Sequence, residues 1–134
     1  MSSAELENLA RIGKLKPEPA SAEEIAGLLA SADERLRDAG EGHLAYSSRF
    51  DLAYNAAHAL ALAALRRAGY RSENRYLVFQ CLVHTAGLDA ASIRILGKAH
   101  DRRNLAEYEG RLERDERLLA ELIATALALR GKLG

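Results

Sequence analysis

Ala53-Tyr54-Asn55-Ala56-Ala57-His58-Ala59-Leu60-Ala61-Leu62 is the middle of a stretch that opens at Ser47 or Ser48 and runs to about Ala68, just before Gly69. Its apolar residues go almost completely round a helical wheel, and a helix that is apolar on nearly every side is one enclosed by others. Asp51 is expected in its first turn. The most apolar run, from Ala56 to Leu65, is far too short to span a bilayer, and His58 interrupts it. The fold is therefore built outward from one buried central helix.

On the N-terminal side, Ser21 followed by Glu24 has the spacing of a capping box, and Ile25, Leu28, Leu29, Ala32 and Leu36 recur at helical intervals. This helix is expected to end near Gly40, where Gly40-Glu41-Gly42 offers left-handed positions. The break at Lys16-Pro17-Glu18-Pro19 separates it from a short leading helix over about residues 4–14. On the C-terminal side, a helix is expected over about residues 72–85, stopped by Gly87, with Asp89 capping the next. That next helix carries Ile93, Leu96 and His100 and breaks at Glu109-Gly110. Leu112 to Lys132 then closes the chain, with Asp115, Leu119, Leu122, Ala126, Leu129 and Leu133 on one seam. No period-two run suggests a strand. The expectation is an all-α, up-and-down bundle of four to five main helices. It forms a single domain over residues 1–134, with a short N-terminal helix and proline-containing linker in 1–20 and the bundle in 21–134.

Composition narrows the class. A chain of 134 residues can bury a core without disulfides or metals. Lysine and arginine balance aspartate and glutamate at 19 each, which argues against a highly charged nucleic-acid coat while allowing local patches. The lone Cys81 excludes an intramolecular disulfide and fits a reducing compartment. Glu5, Glu7, Arg11 and Lys14 break up the first fifteen residues, so no secretory leader is expected there. A soluble cytoplasmic protein without membrane contact is the expectation.

The candidate chemistry gathers in two places. Asp51, Asn55 and His58 share one face of the central helix, with Tyr54 four residues before His58. Later, Ala99-His100-Asp101-Arg102-Arg103-Asn104-Leu105-Ala106-Glu107-Tyr108 interrupts an apolar helical pattern with ionisable and amide groups. His100 and Asn104 are four apart, as are Arg103 and Glu107, and Gly97 lets another backbone come near. A structural account has the central polar groups bonding to nearby loops and helix ends. A functional account has them meeting His100, Arg103 and Asn104 across a groove.

Two basic groups could hold phosphates, because a guanidinium matches phosphate oxygens bidentately. One is the stripe Arg94, Lys98, Arg102; the other is Arg66, Arg67, Arg71 and Arg75 around a turn, for which local ion pairing is the plainer reading. Cys81 and His84 lie three apart, but no second such pair completes a zinc site, so no metal and no cofactor is expected. Phosphate-loop and nucleophile-elbow motifs are absent from the sequence.

From about Phe50 to Leu129 the chain resembles the HEPN domains (higher eukaryotes and prokaryotes nucleotide-binding). The resemblance rests on Ala53 to Leu62 with the following Gly69, similar to their tyrosine- and alanine-rich helix. It rests also on Arg103-Asn104-Leu105-Ala106-Glu107-Tyr108, similar to their arginine-asparagine signature. It implies a helical bundle that often dimerises, bringing two signature helices together. Some HEPN proteins are metal-independent ribonuclease toxins encoded beside a minimal nucleotidyltransferase; others are non-catalytic and were proposed to bind nucleotides or to present a substrate to that partner. In the nucleases a histidine follows the arginine after four to six intervening residues. Here those places hold Glu107, Tyr108, Glu109 and Gly110, counting from Arg102 or Arg103.

Metal-free RNA cleavage needs the 2′-hydroxyl activated and the developing phosphate charge stabilised. A phenol, ionising near pH ~10, is a poor base at neutrality, whereas an imidazole titrates nearby. Three expectations follow. The first is a HEPN-like module without the usual catalytic histidine, binding a nucleotide, RNA or a nucleotidyltransferase, with Arg102, Arg103, Asn104, Tyr108, Asp51, Tyr54 and Asn55 as ligand contacts and a homodimer as its state. The second is a ribonuclease with a rearranged site, using Arg103 for charge and His100 or His58 as acid and base. The third is a structural adaptor whose polar cluster only satisfies the core.

Overall fold

The computed structural model describes residues 3–134. The elements follow in the order α1 (Ala4–Arg11), β1 (Lys16–Pro17), α2 (Ala22–Ala39), α3 (Tyr46–Arg67), β2 (Tyr70–Arg71), α4 (Arg75–Gln80), α5 (Leu82–Thr85), α6 (Ala90–Glu109) and α7 (Glu116–Leu133). The architecture is an all-α bundle with a short N-terminal helix. No described helix is long and apolar enough to cross a membrane.

The central helix is α3. Phe50, Ala53, Tyr54, Ala56, Ala57, Leu60, Ala61, Ala63 and Leu65 are all buried, and between them they face every direction around it. The run of alanines lets neighbouring helices lie close, while Phe50, Tyr54, Leu60 and Leu65 supply the bulk. α2 and α7 pack against α3, and α6 packs against α7. Leu62, by contrast, is only partly buried, so the most enclosed leucines of the helix are Leu60 and Leu65.

Side-chain caps set several boundaries. Ser21 accepts from the Glu24 amide, Asp89 from Ser92, and Asn74 from Leu77. α3 has no side-chain cap: it begins at Tyr46, before Ser47 and Ser48, so Asp51 lies beyond the first turn. The helix expected over residues 72–85 is two, parting at Cys81. Gly40 ends α2 in a right-handed conformation (φ −76°), and Gly42 is not left-handed either. The left-handed turns fall instead at Gly69 and Gly87, and at Gly110, which closes α6.

Two further expectations need correction. The closing helix starts at Glu116, because Asp115 turns its carboxylate onto the Leu118 amide and caps α7 rather than joining its apolar seam. Leu119, Leu122, Ala126, Leu129 and Leu133 do form that seam, all buried. The proline-containing segment is also more than a linker. Lys16 and Pro17 pair antiparallel with Arg71 and Tyr70, and Leu15 beside them is buried.

That pairing frames an ion cluster. Arg66 is 1% exposed. Its guanidinium donates to both Glu24 carboxylate oxygens (2.6 and 3.2 Å) and to the carbonyls of Glu18, Pro19 and Tyr70. Arg71 donates to Glu18 at 2.6 Å and to Glu24 at 3.3 Å. Bonding to these arginines holds the Glu18 and Glu24 carboxyls below the usual range and pushes the Arg66 pKa up. Arg67 donates to the Leu133 carbonyl at 2.6 Å. Three of the four arginines around this turn therefore serve the fold.

Candidate functional site

Three helices deliver the polar cluster. α3 supplies Asp51, Tyr54 and Asn55, α4 supplies Arg75, Tyr76 and Phe79, and α6 supplies His100, Arg103 and Asn104. At its centre the buried Tyr54 hydroxyl lies 2.9 Å from His100 Nδ1, and His100 Nε2 lies 3.0 Å from Asn104 Nδ2. The imidazole stacks on the Tyr54 ring (centroids 6.2 Å, 27° between planes) and leans on Tyr76 at 5.7 Å. Phe79 meets Tyr54 edge to face at 5.8 Å.

The bonds on the two imidazole nitrogens constrain one another. A neutral imidazole has one N–H. With the Asn104 amide donating to Nε2, the proton sits on Nδ1 and donates to the Tyr54 oxygen, leaving the phenolic O–H free. With the amide reversed, Nε2–H donates to the Asn104 oxygen and the Tyr54 O–H donates to Nδ1. Either way Tyr54, His100 and Asn104 form one relay. Burial raises the Tyr54 pKa against the lowering effect of Arg75, so the phenol stays protonated near neutrality.

Two guanidinium groups lie over the Tyr54 ring, Arg103 at 5.0 Å and Arg75 at 5.6 Å from its centroid. Arg75 is steadied by a 3.0 Å bond to the Asn55 side-chain oxygen, and Asn55 donates in turn to the Asp51 carbonyl at 2.9 Å. Arg103 has looser partners: Glu107 at 3.3 Å and Asp51 at 3.7 Å. The second distance brings the charges together without a hydrogen bond, and Arg103 Nε is buried with no hydrogen-bond partner. The Arg103 side chain as a whole is 30% exposed, so part of the cation reaches the surface. It lines a hollow of about 250 Å³ with Asp51, Ala106, Glu107, Gly110, Arg111 and Leu112. A neighbouring hollow of about 480 Å³ is lined by Asn104, Glu107 and Tyr108.

The face carrying Asp51, Tyr54 and Asn55 thus meets His100, Arg103 and Asn104 across a helix interface. Other expected site residues lie apart. Arg102 points to α7, where its guanidinium lies 3.6 Å from Asp115. Tyr108 is 91% exposed in the last turn of α6 and forms no hydrogen bond with the relay among the described residues. His58 sets its ring edge-on to Phe79 at 6.1 Å and forms no hydrogen bond among the described residues. Burial chiefly, helped by the charges of Arg75 and His100, lowers its pKa from 6.5 to about 4. Cys81 is buried, while His84 is exposed rather than packed beside it.

Arg75, Tyr76 and Phe79 join this cluster without having been expected there from the sequence. The available signal is Asn74: as the cap of α4, it places Arg75 and Phe79 four residues apart on one face. Comparison of the chain with protein-family models, with curated proteins and with solved structures finds no match.

Proposed function

We propose that this chain is a non-catalytic, HEPN-like binding module that takes the phosphate of a nucleotide or of RNA at the Arg103 end of α6. The observation that carries the reading is the state of Arg103. Its cation is backed by the Tyr54 ring, part of the guanidinium reaches the surface, and its carboxylate contacts are long and exposed. Phosphate oxygens would offer the shorter, bidentate pairing that Asp51 and Glu107 do not. Asn104 would share the contact from the next position of the helix, and Tyr108 lines the adjoining hollow. In this reading the protein works in the cytoplasm as a homodimer, with a minimal nucleotidyltransferase as its partner protein.

The test is a titration of short fluorescent single-stranded RNA and of adenosine monophosphate at two salt concentrations. Binding should weaken as salt rises and fall at least about tenfold in Arg103→Ala. Asp51→Asn, which removes a competing carboxylate, should tighten it. Equal affinity of wild type and Arg103→Ala would overturn the proposal.

A second reading, metal-independent ribonuclease, is favoured by one observation: His100 sits one helical turn from Arg103 and is already held in a relay with Tyr54. Arg103 would stabilise phosphate charge and His100 would move the proton. His58 bonds to neither, so this reading rests on His100. RNA left intact at high protein concentration would eliminate it. With neither binding nor cleavage, the relay would only fasten α3 to α6, as in a structural adaptor.

A further inference from the structure

Beside the Arg94–Lys98 part of the basic stripe, a groove of about 620 Å³ runs between α4–α5 and α6. We infer that this groove, lined by Tyr76, Val83, Gly97, Arg94 and Lys98, is a binding site for a small planar aromatic anion, separate from the Arg103 hollow. Its volume falls in the range of small-molecule sites. It is far too small for a stable protein partner, which needs roughly 20–30 residues a side.

The walls define the chemistry of the occupant. Tyr76 is 45% exposed and Val83 48%, so an aromatic face and an aliphatic one stand open in the same concavity. Gly97 is buried where Tyr76 settles on α6: a Cβ there would touch the edge of the Tyr76 ring, at 3.6 Å, so the ring lies low against the helix with its outer part exposed. The result is a concavity with an exposed aromatic wall, lined also by Ile93, against which a planar ring can stack.

The charge lies along one edge. Arg94 and Lys98 are exposed and one helical turn apart, and neither forms an ion pair among the described residues. Lys98 acts on Asp115 only at a distance: the Leu118 amide bond chiefly, then the charges of Arg102 and Lys98, lower the Asp115 pKa. Two free cations next to an apolar slot select an anionic group attached to the ring. Asp101 and Gln80, which also line the groove, can accept from a hydrogen-bond donor on the ring's far edge. Asp101 also repels a polyanion, which confines the site to ligands of low charge.

The experiment uses 8-anilinonaphthalene-1-sulfonate, a planar arene bearing one sulfonate, titrated into the full chain by fluorescence. One saturable site is expected. Arg94→Glu combined with Lys98→Glu, and separately Val83→Glu, should each weaken it at least about tenfold. These positions are exposed, so circular dichroism and melting should match wild type. Arg103→Ala should leave dye binding unchanged, which separates this site from the proposed phosphate contact. The inference is overturned by absence of saturable binding, by groove variants that bind like wild type, or by loss of binding in Arg103→Ala alone.

Discussion

The Tyr54 hydroxyl and His100 Nδ1 meet at 2.9 Å although 46 residues separate them in the chain. Among the described residues, this is the one hydrogen bond that joins the central helix to the polar end of α6. Tyr54→Phe keeps the ring, its Phe79 contact and its cation contacts but removes the hydroxyl. With one imidazole nitrogen left unpaired in a half-buried place, stability should fall by about 1–3 kcal/mol. Urea denaturation measures it, and a loss near zero would mean that the bond adds nothing.

The acid response should carry the mark of His58. Its pKa falls from 6.5 to about 4 on folding, so between those values the unfolded chain binds more protons than the folded one. Stability is then complete above pH 6.5 and declines as pH drops toward 4. Between pH 7 and 5 the loss from this group should be roughly 2 kcal/mol. His58→Gln should flatten the slope in that window. An unchanged slope would place its origin elsewhere.

Arg66→Met tests the buried cation. The substitution keeps much of the volume but strands the carbonyls of Glu18, Pro19 and Tyr70 without their donor. The expected loss is about 3 kcal/mol or more, read by denaturant midpoint. A neutral result would show that the apolar exchange compensates in full.

The core can be graded by two neighbouring leucines. Leu60→Ala empties a fully buried position and should cost about 2–5 kcal/mol. Leu62→Ala, at a partly buried position, should cost clearly less. Equal losses would put the two residues in equivalent surroundings.

The bundle was legible because local rules acted alone. Ser21 and Asp89 cap helices where they stand, and the all-round apolar pattern of α3 reflects its central position. Asp115 was misplaced because a capping residue four positions before Leu119 has the same spacing as a seam residue, and only backbone conformation separates the two. The pairing of Lys16–Pro17 with Tyr70–Arg71 carries no local signal, since two residues cannot show a period.

The cluster was half legible for a similar reason. Helical spacing puts Asp51 and Asn55 on one face and His100 beside Asn104, but it does not say which face meets which. Arg75 was hidden among arginines whose company suggested one shared role; Arg66 and Arg71 turn inward to Glu18 and Glu24, while Arg75 turns to Asn55. Arg102 and Arg103 are adjacent in sequence, yet about 100° of helical rotation sends them to different helices.

The two-residue ladder at Lys16–Pro17 has a consequence for how the molecule comes apart. A chain shortened to begin at Ser21 would lose the Glu18 carboxylate and two backbone oxygens from a guanidinium that is sealed from water. The leading segment is thus a clasp on the bundle, and releasing it hydrates the far end of the central helix. Unlatching and melting become a single cooperative event.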